Sequence, residues 1–367
     1  MPFSPPFSVV DIFCGAGGLS YGFAKNPGFS IKLAVDVDGD AAKTYALNHK
    51  TRVLNQDLAS LGESTLLELG RIDLLLGGPP CQSYSTLGKR RFDSKARLFE
   101  EFLRVLGILS PSLFIFENVT GLLSMQGGRL FRLICERFYE AGYRLEFRIL
   151  NALHFGVPQT RERVILVGRH NDLDTSFAFP SPTHADNDVF VTLKDALDDL
   201  PCIQSGENGD IKGYRFEANN DFLDFVRTSE CLSEHVSPKN NSSLVRIMQT
   251  LKDGESKDDL PPDMRPKSGY ANTYAKLWWN RPSTTITRNF STPSSSRCIH
   301  PRDSRALSIR EGARLQSFPD DYLFVGSNNS KRLQIGNAVP PLLSVALANA
   351  VLGYFNKLCK ESQYVQI

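Results

Sequence analysis

Over its first 170 residues this chain alternates short apolar runs with longer stretches of helical spacing, and that alternation limits the fold more than any other feature. The strand candidates are Ser8 to Phe13, Ile31 to Val37, Arg52 to Leu54, Ile72 to Leu76, Leu113 to Phe116, Tyr143 to Leu150 and Arg163 to Val167. Between two of them, Ala96 to Leu109 places Leu98, Phe99, Phe102, Leu103 and Leu106 on one helical face. Arg129 to Ala141 does the same with Leu130, Phe131, Ile134 and Phe138, and Gly142 follows as a left-handed stop. Strands separated by helices predict a mostly parallel, doubly wound α/β sheet covered on both faces.

From about residue 180 the texture changes. Pro180-Ser181-Pro182-Thr183 reads as a linker, and the stretch to about 275 is rich in Asn, Asp, Ser, Gly and Pro with weak periodicity. Helical spacing returns with Leu343, Val345, Leu347, Val351 and Phe355. The expectation is a discontinuous large domain, 1–185 with 330–367, and a smaller irregular domain over 186–329. At 367 residues, two domains are also the natural division.

The seven cysteines are scattered and form no Cys-x-x-Cys pair, so neither a disulfide framework nor a metal site is expected. No signal sequence is read at the N-terminus, and no apolar run is read as approaching the roughly 18 residues of a membrane span. The chain is expected to be soluble, cytoplasmic and monomeric. Its net charge of +2 hides an uneven distribution. Residues 276–337 hold ten Lys/Arg against four Asp/Glu, whereas 186–275 hold ten against seventeen. With Lys89-Arg90-Arg91, Lys95 and Arg97, the segment 276–332 is where phosphate contact is expected.

Two loops carry the chemistry. The first apolar run ends in Asp11-Ile12-Phe13-Cys14-Gly15-Ala16-Gly17-Gly18, a turn that lets a ligand approach a helix N-terminus. Ser20 stands where the dinucleotide fingerprint requires glycine, which argues against a nicotinamide dehydrogenase. Asp36 and Asp57 close the second and third strands at the edge where such sheets bind ligands. An acid after the second strand suits a ribose diol, and an acid after the third suits an adenine amino group. The first loop has no lysine and no phosphate-binding motif, so an adenosine without phosphates fits best. The second loop is Gly77-Gly78-Pro79-Pro80-Cys81-Gln82, in which two prolines mount a thiol on a stiff platform.

As an ordered set these motifs resemble the DNA (cytosine-5) methyltransferases. The set comprises Phe13-x-Gly15-x-Gly17-Gly18, Asp57, Pro79-Pro80-Cys81-Gln82, Phe116-Glu117-Asn118-Val119, Gln159-x-Arg161-x-Arg163 and Gly336-Asn337-Ala338-Val339-Pro340. Arg281 to Arg288 resembles the motif before the last one. The matches run in family order over nearly the whole chain except about 186–275. Asp36 stands where the family usually has glutamate, and Tyr84 where phenylalanine is usual.

The resemblance implies the methyltransferase fold, S-adenosylmethionine as methyl donor, no metal, and double-stranded DNA as partner. By position, Phe13, Gly15, Gly17, Asp36, Asp57, Pro80, Leu98 and Asn337 would meet the cofactor. Cys81, Glu117, Asn118, Arg161 and Arg163 would form the catalytic set. C5 of cytosine is a poor nucleophile until a thiolate adds at C6, a task for Cys81. Glu117 would stabilise the charge pushed toward N3, Asn118 would hold its loop, and Arg161 and Arg163 would favour the thiolate. Addition at C6 requires the base to be rotated out of the duplex. Ser83 to Arg97 would then close as a lid, and the small domain would read sequence in the major groove.

A stand-alone prokaryotic modification enzyme is the expectation, with a companion endonuclease as functional partner. The tRNA-directed branch of the same family shares the core motifs but carries its own signature in the second domain, which is not seen here. A catalytically silent DNA-binding regulator is opposed by intact Cys81, Glu117, Arg161 and Arg163.

Overall fold

The computed structural model describes residues 4–80, 97–185, 190–267 and 272–364. Residue contacts divide the chain into two units. The first comprises Met1–Asn151, Glu162–Ser181 and Leu343–Ile367, and the second Ala152–Arg161 with Pro182–Leu342. These bounds differ from those read in the sequence at three places: 152–161, 182–185 and 330–342 all fall in the second unit. The first and last of these carry motif residues whose hydrogen bonds lie inside that unit, as described below.

The first unit is a seven-stranded sheet built from β1 (Phe7–Ile12), β2 (Phe29–Asp36), β3 (Val53–Asn55), β4 (Leu74–Gly77), β5 (Leu113–Val119), β6 (Tyr143–Asn151) and β7 (Glu162–His170). Their spatial order is β3-β2-β1-β4-β5-β7-β6. The first five strands run parallel, and β7 lies antiparallel to both β5 and β6. The predicted α/β sheet is thus observed, with an antiparallel pair at one edge. Every residue of β1 and β4 is buried, as expected for central strands covered on both faces.

Helices α1 (Tyr21–Lys25), α2 (Gly39–His49), α3 (Arg97–Leu109) and α4 (Arg129–Glu140) connect the strands. Asp38 starts α2 by accepting from the Asp40 and Ala41 amides, both at 3.0 Å. Phe99 and Phe102 of α3, Phe138 of α4, and Phe114 and Phe116 of β5 form an aromatic core. Its ring centroids are 4.5 Å apart for Phe114–Phe138 and 5.3 Å for Phe102–Phe116.

The second unit has little regular structure. It holds the two-residue strand β8 (Ala275–Lys276) parallel to β9 (Arg297–Ile299), then α5 (Ile309–Leu315) and α6 (Asn328–Asn337). Its interior is stabilised by paired charges. Arg314, fully buried, binds Asp199 at 2.5 Å and Asp320 at 2.6 Å. Arg305 grips Glu311 at 2.7 Å and Asp303 at 2.8 Å. Ser308 and Glu311 close a reciprocal cap at the start of α5.

This narrows the reading of 276–332 as a phosphate-binding stretch. Lys276, Arg305, Arg310 and Arg314 are buried and bonded internally, because a cation removed from water needs a protein partner. Arg302 and Arg297 lie over the rings of Trp279 and Trp278, each at 4.1 Å. Arg281 and Arg288 remain exposed.

The final helix, α7 (Pro341–Tyr364), belongs to the first unit from Leu343 onward. By length and composition the stretch Asn328–Glu361 could cross a membrane, contrary to the expectation that no run comes near that length. Leu343, Leu347, Val351 and Phe355 are, however, fully buried, so α7 is a core helix. The Phe355 ring lies 4.6 Å from that of Phe7 in β1.

Candidate active site

At the carboxyl end of β1 the backbone turns through three positive φ angles, at Phe13 (57°), Gly15 (54°) and Gly17 (89°). A left-handed conformation explains the two glycines, and Phe13 is held in it despite its side chain. Gly15 donates its amide to Asp36 Oδ2 at 2.7 Å, and Asp38 donates to Asp36 Oδ1 at 2.8 Å. One carboxylate thereby ties the first loop to the second. Burial raises its pKa, opposed by the two amide bonds. A Cβ built on Gly15 meets nothing within 4 Å, so the turn borders open space. Asp57 is exposed and uses Oδ1 to cap the turn Leu58–Ser60 through the Ala59 amide at 3.0 Å. Pro80 is exposed and Leu98, at the start of α3, is half-buried.

Sequence reasoning gave no role to a polar layer beneath this turn. Asp11, Ser20 and Tyr45 are almost wholly buried there, and the His49 ring stacks on Tyr45 at 4.3 Å. The available signal was an aspartate in an otherwise apolar strand. Cys14 is buried too, and burial with the nearby Asp11 and Asp36 charges pushes its thiol up, leaving it unreactive.

At the carboxyl ends of β4 and β5 a second group converges. Glu117 Oε1 pairs with Arg163 Nε at 2.9 Å, with each side chain 12% exposed. Antiparallel pairing sets this meeting, because Arg163 lies opposite Val119 and Ile165 opposite Glu117. A Cβ on Gly78 would stand 2.9 Å from Glu117 Oε2, so this glycine forms the floor on which the carboxylate rests. Asn118, 3% exposed, donates from Nδ2 to the Pro79 carbonyl at 3.0 Å and accepts the Val119 amide at 3.0 Å. It thus fixes the approach to the Pro79-Pro80 segment. Cys81 and the stretch to 96, including Tyr84, Lys89, Arg90, Arg91 and Lys95, lie outside the described residues.

The two arginines of Gln159-x-Arg161-x-Arg163 have different surroundings. Arg163 belongs to the first unit and meets Glu117. Arg161 belongs to the second, where its buried guanidinium donates to the carbonyls of Ile286 (2.9 Å), Gly336 (3.0 Å) and Ala338 (2.8 Å). Gln159 joins the same lattice through Leu315, Gln316 and Ile286. Asn337 ends α6 in the second unit and is exposed.

Comparison with known proteins agrees with this geometry. Residues 7–353 match the family model of the C-5 cytosine-specific DNA methylases. The type II methyltransferase M1.HphI of Haemophilus parahaemolyticus is 35% identical over 94% of this chain and 86% of its own length. M.DdeI of Desulfomicrobium norvegicum, also a type II methyltransferase, is 34% identical over 96% of the chain and 90% of its own. Among solved structures, a prophage-encoded E. coli protein described as a DNA modification methyltransferase superposes with a TM-score of 0.77 at 25% identity. That match covers 95% of this chain and 99% of the other. S. pombe Dnmt2 shares the fold, with a TM-score of 0.62 at 18% identity over 94% and 98%. The chain belongs to the C-5 cytosine-specific DNA methylase family and is a DNA (cytosine-5-)-methyltransferase.

Proposed function

We propose that the protein methylates C5 of a cytosine rotated out of a short specific site in double-stranded DNA, with S-adenosylmethionine as donor and a transient Cys81–C6 bond. The observation that carries this reading is the convergence of Gly78, Asn118, Glu117 and Arg163 on the loop that leads into Cys81. Kinship with type II methyltransferases supports a modification role beside a cognate endonuclease in the bacterial cytoplasm.

The residues around the first turn suit an adenosine. Asp36 keeps free lone pairs for a ribose diol, Asp57 Oδ2 is left over from its cap, and Gly15 leaves room above the turn. When bound there, S-adenosylmethionine supplies an electrophilic methyl group.

Cys81 Sγ adds to C6 as a thiolate, and the displaced electrons move toward N3 and O2. Glu117, seated on Gly78, offers N3 a proton or hydrogen bond, while Arg163 orients its carboxyl group. Arg161 acts as a positioning residue, clamping the Ile286 and Gly336–Ala338 backbone. Once C5 carries the methyl group, a base takes the C5 proton, the C5–H electron pair re-forms the C5–C6 double bond, and the C6–Sγ bond breaks to restore the Cys81 thiolate. The second unit would read sequence, with Arg281 and Arg288 available for phosphates.

A duplex carrying 5-fluorocytosine tests the reading, because fluorine at C5 prevents the final elimination. With cofactor present, a denaturation-resistant complex should form with the native chain and not with Cys81→Ser. Bisulfite sequencing of treated plasmid should show methylation at one short recurring site. Label on tRNA alone, or on an exocyclic nitrogen, would overturn the proposal.

A further inference from the structure

Five acidic residues of the described chain are buried: Asp11, Asp73, Asp199, Glu311 and Asp320. Four have an arginine. Asp73 pairs with Arg71 at 3.0 Å, Asp199 and Asp320 with Arg314, and Glu311 with Arg305. Asp11 is the exception, with no ion pair among the described residues. It is 1% exposed, and its Oδ2 accepts no hydrogen bond.

Among the described residues, the groups that act on Asp11 include no cation. Ser20 and Tyr45 turn neutral hydroxyls toward it, Asp36 from β2 adds a second negative charge, and Cys14 follows in the turn after its strand. His49, next to Tyr45, is held down to about 4 by burial and is therefore neutral. Asp11 sits two residues before Phe13 and four before Gly15, at the end of the strand that leads into the turn, and its charge and that of Asp36 act on each other and on Cys14 within the turn. An isolated carboxylate out of water is among the more expensive groups a protein can keep. Burial accordingly raises its pKa to about 7, with Asp36 adding to the rise.

A cation docked on the turn would complete this environment. The methyl donor carries a sulfonium; the product left after transfer has a neutral thioether and is otherwise the same molecule. Taking the cofactor placement proposed above as the starting point, we infer that Asp11 makes the site prefer the cationic donor over the spent product. Methyl transfer then removes the charge that Asp11 attracts, and the product is released more readily. Asp11 does no chemistry; it is a specificity-determining residue acting through the field beneath the turn.

Calorimetric titration of S-adenosylmethionine and S-adenosylhomocysteine into the full chain tests this, using native protein and Asp11→Asn at about pH 6 and about pH 8. The donor's own amino group is common to donor and product and to both proteins, so its titration cancels from the preference. At the higher pH the substitution should lower the donor-over-product preference about five- to tenfold, with product affinity changed less than about twofold. At the lower pH, where Asp11 carries its proton, the two proteins should converge. If Asp11→Asn binds both ligands with the native preference at both pH values, the inference fails while the cofactor placement stands. If the native chain binds neither ligand, the placement itself fails. Should Asp11→Asn not fold, Tyr45→Phe removes a hydroxyl favouring the ionised form and should reduce the preference near neutral pH; an unchanged preference would overturn the inference.

Discussion

Arg163 donates from Nε to Glu117 Oε1 at 2.9 Å across the antiparallel β5–β7 pair, and both side chains are largely buried. Removing either partner takes the ion pair from the other in a poorly solvated place. Arg163→Ala is expected to destabilise the fold by about 3 kcal/mol and to lower kcat at least about a hundredfold. Denaturant titration and single-turnover methylation would measure the two effects. Arg163→Lys should recover stability better than rate, because an ammonium cannot match the planar guanidinium contact. Equal recovery of both would argue against an orienting role.

Gly78→Ala probes the same site from below. The added methyl would stand 2.9 Å from Glu117 Oε2, a side-chain atom rather than backbone, so the carboxylate must shift while the backbone need not. The melting temperature should change by only a few degrees, yet methyl transfer should fall about ten- to a hundredfold. Cofactor affinity measured by calorimetry should remain as it was. Unaltered turnover would show that the position of Glu117 is not critical.

In the second unit Arg314 bridges Asp199 and Asp320, all three fully or almost fully buried. Arg314→Ala removes the nearest cation from both carboxylates, leaving Asp199 with Arg227 at 3.7 Å and Asp320 with Arg310 at 3.7 Å and the Tyr214 hydroxyl, and should cost about 3 kcal/mol. Arg281→Ala, an exposed change, should leave stability within about 0.5 kcal/mol. It should weaken duplex binding and reduce its salt dependence by about one unit of slope. Filter binding across a salt series, beside thermal melts, separates the two arginine classes.

Acid should loosen the second unit before pH 4. Burial holds His300 down to about 4 and lowers His235 as well, so both are neutral in the fold. The unfolded chain protonates them near pH 6.5, the folded chain only lower. Their contribution is therefore intact above about pH 6.5 and is lost as pH falls through that value toward 4, by about 3 kcal/mol for His300. Glu311 acts in the same direction at still lower pH: burial opposes its ionisation, but Arg305 outweighs it and holds the carboxyl well below its usual range. Urea midpoints at several pH values would show the slope. A His300→Asn, His235→Asn chain with the native slope would assign it elsewhere.

The central strands of the first unit could be read from the sequence because strands covered on both faces are written as continuous apolar runs, such as Leu74 to Leu76. The Gly15 turn, Asp36 and Asp57 were legible for the same reason, since each lies at or just after a strand end. Arg305, Arg310 and Arg314 were not. A buried arginine looks like a solvated one until its carboxylate partner is known, and Asp199 is more than a hundred residues from Arg314. Arg161 and Arg163 looked equivalent two residues apart, yet one binds three carbonyls and the other a carboxylate. Gly78 gave no sign that a distant side chain would rest on it.

The closing helix has a consequence for how the molecule is made. Gly22 donates its amide to Ser344 Oγ at 2.8 Å, and a Cβ at Gly22 would collide with the Ser344 carbonyl. The sheet begun with residue 7 therefore lacks one of its walls until the chain has been synthesised past residue 343. During translation the early strands must wait, partly uncovered, while the whole second unit emerges from the ribosome. Such long-range closure favours slow folding and gives chaperones a window in which to act.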